Sequence, residues 1–187
     1  MSKELTPEQL KQGYEKLIEI LRQNTEQAIT TYIKPEYQKI TAKQLATLVN
    51  KIFPNMPVNL YDNTYLLTKW STWQTIIKFD WTNKKKYITD MFDCDNFSGS
   101  FCARASEFFN LNSAGRFSCQ VITKTGEILP HRAVLIAAID ENDEIALYVI
   151  ESQNDKWVKV RFSNQSILIP NDYEEEWQYR GTLAEFN

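Results

Sequence analysis

The periodicity of the chain changes once, at Asn112-Ser113-Ala114-Gly115, and that change restricts the fold more than any other feature. Before this turn, apolar residues recur at helical spacing. After it they fall into short strands separated by turns. Helices first and antiparallel strands second is the order of an α+β fold, with a helical layer on a sheet. A length of 187 residues suits one such domain, alone or with an extension. An apolar content of 43% supplies a core and argues against wholesale disorder.

Thr6-Pro7-Glu8-Gln9 reads as a helix start: Thr6 caps, Pro7 suits the first helical position and Gln9 completes a capping box. Leu10, Tyr14, Leu17, Ile18 and Leu21 then form an apolar stripe, and the helix is predicted to fade before Lys34-Pro35. Thr41-Ala42-Lys43-Gln44 is a second capping box, opening a helix that carries Leu45, Leu48, Val49 and Ile52. Residues 54–63 read as loop with a short extended piece. A third helix is expected over Trp70–Phe79. Asn83-Lys84-Lys85-Lys86 reads as a solvated loop. Asp93 caps a fourth helix running to about Phe109, with Phe97, Phe101, Cys102, Ala105 and Phe108 inward. Strands follow over Arg116–Thr123, Arg132–Ile139, Ile145–Glu151 and Val158–Phe162, with turns at Thr125-Gly126 and Glu141-Asn142-Asp143. The acidic, aromatic stretch Pro170–Trp177 is expected as a short helix outside the sheet. The resulting division is a helical N-terminal extension over 1–55 and an α+β domain over 56–187.

A net charge of −3 argues against a nucleic-acid partner, which favours a basic face. No apolar run approaches the length that spans a bilayer, and the polar start Met1-Ser2-Lys3-Glu4 lacks the apolar stretch of a signal peptide. The expectation is a cytoplasmic protein with no membrane partner. Three cysteines, with no framework spacing, read as reduced thiols.

The chemistry-bearing residues gather around Cys94. A cysteine at a helix start is favoured as thiolate by the positive end of the helix and by a nearby imidazole. His131 is the sole histidine and opens an apolar strand; Glu151 closes the next one. A hairpin turning near residues 141–143 places His131 beside Glu151 or Ser152. A carboxylate there holds the ring and stabilises its charged form, the third role in a triad. Gln153, two residues on, is the candidate substrate contact. Asp93 and Asp95 flank the cysteine, and like charges oppose a thiolate. They either cap the helix or bind a hard cation, for which calcium is the natural choice.

At these residues the chain resembles a known group. Phe92-Asp93-Cys94-Asp95-Asn96-Phe97, the strand opened by His131 and Ile150-Glu151-Ser152-Gln153 are similar to motifs of the papain-like cysteine protease domain at the C-terminus of Marasmius oreades agglutinin and related phage and bacterial domains. The resemblance covers about residues 60–155. It implies a papain-like core, with a nucleophile helix packed on an antiparallel sheet. It also implies a cysteine peptidase or amidase with Cys94 as nucleophile, His131 as base and Glu151 as orienter. Asp93 and Asp95 are then calcium ligands, and a peptide or protein is the substrate. Asn96 stands where the group has an acid, and Ser152 where it has proline. Papain-like cell-wall endopeptidases, with Asp-Cys-Ser-Gly at the same helix start, are a second resemblance. The alternative of another class is a non-catalytic papain-like binding module, or a phage structural or host-interaction protein.

Overall fold

Thr41 shows why the local structure follows the sequence. Its hydroxyl accepts from the Gln44 N–H at 3.2 Å while the Gln44 carboxamide accepts from the Thr41 N–H at 2.8 Å, the reciprocal cap read from the spacing. That cap starts α1 (Ala42–Ile52), which buries Leu45 and Val49. The structure is a computed structural model describing residues 30–123, 125–160, 167–168 and 178–186, with positions 8, 12, 13, 16, 17 and 20 before them. Chain contacts divide it into two units, Met1–Lys34 and Pro35–Asn187. In the first, positions 8, 12, 13, 16, 17, 20 and 30–32 are helical. Leu17 of the expected stripe is exposed there; the other stripe positions lie outside the described residues.

The second unit holds the sheet. A small two-stranded ribbon pairs β1 (Gln38–Thr41) with β3 (Thr64–Leu67). The main sheet contains β2 (Val58–Leu60), β4 (Ala114–Ile122), β5 (Ile128–Ile139), β6 (Ile145–Glu151), β7 (Lys156–Lys159), β8 (Ile167–Leu168) and β9 (Gln178–Phe186). Their order is β2-β9-β4-β5-β6-β7, with β8 on β9. All neighbours run antiparallel except β2 and β9, which makes the sheet mixed. The central β5 is buried without interruption from Ala133 to Ile139 because both faces are covered. On one face Leu135, Val149, Phe117 and Phe186 meet Leu45, Val49 and Phe53 of the α1 region. The alternate residues, among them Tyr148, face the other way, where Trp70 of α2 (Trp70–Phe79) stacks on Tyr148 with ring centroids 3.7 Å apart. On the helical side α2 packs on α3 (Cys94–Phe109) through Trp73 and Phe101.

The coarse expectation holds: this is an α+β unit with a sheet-rich core. The differences are local. The short extended piece expected within 54–63 is β2, whereas the ribbon strands β1 and β3 were not expected before residue 112, and β9 enters the sheet between β2 and β4. The stretch Pro170–Trp177 lies outside the described residues. Close packing explains one glycine on the β4–β9 seam. A Cβ at Gly115 would stand 2.6 Å from the Glu185 carbonyl oxygen, so a larger residue would push the two strands apart. Among the described residues, no helix is long and apolar enough to cross a membrane.

Candidate functional site

Cys94 is the first residue of α3, and Asp93 is its cap. The Asp93 N–H donates to the Asn96 Oδ1 at 3.3 Å, so Asn96 serves the helix start. The preceding residues form a tight loop in which Ile88 and Phe92 exchange backbone hydrogen bonds of 2.9 and 2.7 Å. Asp90 takes the left-handed conformation the turn needs (φ 60), and Met91 stands at the tip. Phe92 and Tyr87 both pack on Phe97 from this side, which fixes the loop to α3.

His131 comes from β5, Glu151 from the end of β6 and Tyr179 from β9. The Nε2 of His131 lies 2.9 and 3.0 Å from the two Glu151 oxygens. The Tyr179 hydroxyl donates to Glu151 Oε1 at 2.8 Å. The strand register refines the sequence expectation. Val134 pairs with Ile150, so Glu151 falls opposite Ala133 and His131 meets it diagonally, two residues along the same face. Cys94 hydrogen-bonds to the same His131 side chain.

The electrostatics follow from these contacts. The Cys94 thiol is held below its ordinary range by its hydrogen bond to His131. Burial opposes the shift; the charge on His131 and the Arg132 backbone N–H reinforce it. Burial works against a charged imidazole at His131, but the hydrogen bonds to Cys94 and Glu151 outweigh it and raise the ring to about 10. Both shifts favour the same charge state, a thiolate beside an imidazolium, and the thiolate is the nucleophilic form of a thiol. Asp93 and Asp95 share a hydrogen bond that raises Asp93 and lowers Asp95; the positive charge of Arg132 lowers Asp95 further.

The sequence candidates divide accordingly. Cys94, His131 and Glu151 come together. Gln153 is half-buried in the turn after β6 and, among the described residues, makes no hydrogen bond to that group. Asp93 and Asp95 stand together, but two mutually bonded carboxylates supply few of the six to eight oxygens calcium takes. Among the described residues no three acidic, cysteine or histidine side chains form a metal-holding group. Tyr179 and Arg132 escaped the sequence reading. The alternation of residues 178–186 is the signal that would have found the first, and adjacency to His131 the second.

A second polar cluster anchors the loop leading to this site. Arg104 of α3 pairs with Asp80 at 3.1 Å, and Asp80 also accepts from the Thr82 N–H at 3.0 Å. The Asn83 carboxamide donates to Asp155, which sits at φ 62 in the turn after Glu151. Burial and the nearby Asp80 charge push Asp155 up to about 6; Lys84 and Asn83 only partly offset this. A carboxyl whose folded pKa lies above its unfolded value favours the fold below that unfolded value, near 3.8. The contribution is lost as pH rises through about 6. Asp155→Asn should therefore raise the melting temperature at pH 8, by about 2–4 °C, and leave it unchanged at pH 4. Equal effects at the two pH values would show that ionisation of Asp155 costs the fold nothing.

Two solved structures share the fold. PSL1a, solved in complex with E64, matches with a TM-score of 0.56 and 14% identity over 79% of this chain and 50% of its own. Polyporus squamosus lectin, bound to the human-type influenza-binding epitope Neu5Aca2-6Galb1-4GlcNAc, matches with a TM-score of 0.54 and 15% identity over 79% of this chain and 49% of its own. No protein-family model and no curated protein matches the chain. These findings correct the sequence reading. The neighbour whose function its name states is a lectin and not a papain-like protease, which overturns the assignment to that protease family and, with it, the cysteine hydrolase reading. The calcium and phage associations gain no support from them either. The match spans about half the length of those structures, and what this chain shares with them is the fold.

Proposed function

We propose that the chain is a non-catalytic binding module on a core of papain-like layout, and that its ligand is a carbohydrate held beside the Cys94–His131–Glu151 group. The observation that carries this is the apolar rim on both stretches that meet there. Tyr87 is 48% exposed and Met91 75% exposed on the loop before Cys94, with Ile88 beside them. Leu129, two residues ahead of His131 on the same face of β5, is exposed. Large exposed apolar groups next to a polar cluster mark a recognition surface. A sugar needs both parts: an aromatic face for its ring C–H groups and charged partners for its hydroxyls. Asp93 and Asp95 supply acceptors. Arg132 and the lysines at 84–86 supply cations suited to an acidic sugar, and Lys85 already sits 4.7 Å over the Phe92 ring. The lectin name and the bound sialylated epitope of one fold neighbour support the same reading.

Saturation-transfer NMR with Neu5Acα2-6Galβ1-4GlcNAc and with neutral Galβ1-4GlcNAc tests it. Signal on the acidic trisaccharide is expected, with affinity reduced about tenfold by Tyr87→Ala at an unchanged melting temperature. No transfer to either sugar at millimolar concentration would remove the carbohydrate from the proposal.

A further inference from the structure

We propose that Tyr179 is a positioning residue for the Cys94–His131 pair: its hydroxyl holds the Glu151 carboxylate turned toward the imidazole, which keeps the ring aimed at the sulfur. The inference rests on the Cys94 group being the functional site. Glu151 is buried, and its Oε1 takes both the Tyr179 hydroxyl at 2.8 Å and the His131 Nε2 at 2.9 Å. Without the phenol, the carboxylate keeps His131 as its side-chain donor among the hydrogen bonds described but loses the contact that fixes Oε1 from the other side. The ring contributes as well. It meets the imidazole edge-to-face, with centroids 6.0 Å apart, and closes one side of its pocket.

The position is unusual for such a role. β9 and β6 are separated by β4 and β5. Three spacings of about 4.8 Å would separate them in a flat sheet, further than a tyrosine reaches. The hydrogen bond therefore belongs to a sheet curled toward this face. Tyr179 is long enough to make it and is itself buried at 1% exposure. A buried phenol needs an acceptor, and Glu151 provides it.

The test follows alkylation of Cys94 by iodoacetamide across pH 5–10 in the full chain, read by peptide mass, for wild type, Tyr179→Phe and Glu151→Gln. Tyr179→Phe keeps the ring and removes only the hydroxyl. Its midpoint should rise by about one pH unit, with alkylation about tenfold slower below the midpoint and equal above it. The NMR signal of His131, the sole histidine, gives a second reading: its titration midpoint should fall in the same variant. A Tyr179→Phe profile that superimposes on wild type would overturn the proposal. A uniform slowing at every pH would also overturn it, because that reports access and not charge. If Glu151→Gln shifts the midpoint and Tyr179→Phe does not, Tyr179 is only a packing residue and the site reading survives. If neither shifts it, the carboxylate does not govern Cys94 and both fall. Sugar binding is scored separately, so its failure leaves this result interpretable.

Discussion

At pH 7, iodoacetamide should alkylate Cys94 at least about a thousand times faster than Cys102 or Cys119, since the reagent reads the thiolate fraction. Burial pushes Cys102 up to about 12 and Cys119 well above the ordinary thiol range, whereas His131 holds Cys94 below it. Access does not explain the difference for Cys102, which borders a cavity of about 520 Å³ between α3 and the start of β4. The depressed Cys94 value keeps the thiolate above its folded pKa and loses it as pH falls through that value. The raised His131 value keeps the ring charged until pH approaches about 10. The advantage of Cys94 should shrink in alkaline solution, where the other thiols begin to ionise. His131→Ala should slow labelling of Cys94 at pH 7 by about a hundredfold. Even labelling of the three cysteines, or an unaffected rate in His131→Ala, would show that no such ion pair exists.

Glu151→Ala should destabilise the fold by about 3–5 kcal/mol in a urea titration, because it strips a buried imidazolium of its carboxylate partner and leaves a buried phenol without its acceptor. The sequence suggests a milder outcome, since a strand-end acid is ordinarily solvated. Here Glu151 is 6% exposed and the His131 side chain 12% exposed. Glu151→Gln, which still accepts from Tyr179, should cost less. The double variant Glu151→Ala, His131→Ala should cost less than the two single losses added together. A loss below about 1 kcal/mol for Glu151→Ala would place the carboxylate in water instead.

Local signals in this chain were readable wherever one residue pattern decides the structure. The box at Thr41 and Gln44, the cap at Asp93 and the run Ile145–Glu151 depend on neighbours in sequence, and they lie where their patterns put them. The meeting of Cys94 with His131 and Glu151 was also legible, because a helix start, a strand and a hairpin leave few places for three polar residues to converge. The turn fell where it was expected, but the strands pair about residue 142, which sets His131 opposite Gln153 and one or two residues from the partners expected for it. β9 was missed for a different reason. An acidic stretch precedes it, and nothing local says that residues 178–186 pair with residues 115–122. Tyr179 was hidden with it. Chemistry fared worse than placement: the motif around Cys94 points to a protease family, while a fold neighbour is a lectin. A thiol, an imidazole and a carboxylate brought together define a charge state; what that charge state serves is set by the surface around it.

β9 carries a consequence for how the molecule comes to exist. It lies between β2 and β4, so strands from residues 58–60 and 114–122 border a strand made only at residues 178–186. On a ribosome, β4 to β7 can pair as successive hairpins as they emerge, but the β4 edge stays open until β9 arrives. That edge is a template for wrong partners while it waits. Closing it joins residues more than fifty positions apart, the kind of pairing that slows folding. Tyr179 travels on the same strand, so Glu151 and His131 are poised only once the sheet has closed. A nascent or proteolytically nicked chain lacking β9 would thus carry Cys94 without its assembled partners, and thiol reactivity would report completed folding.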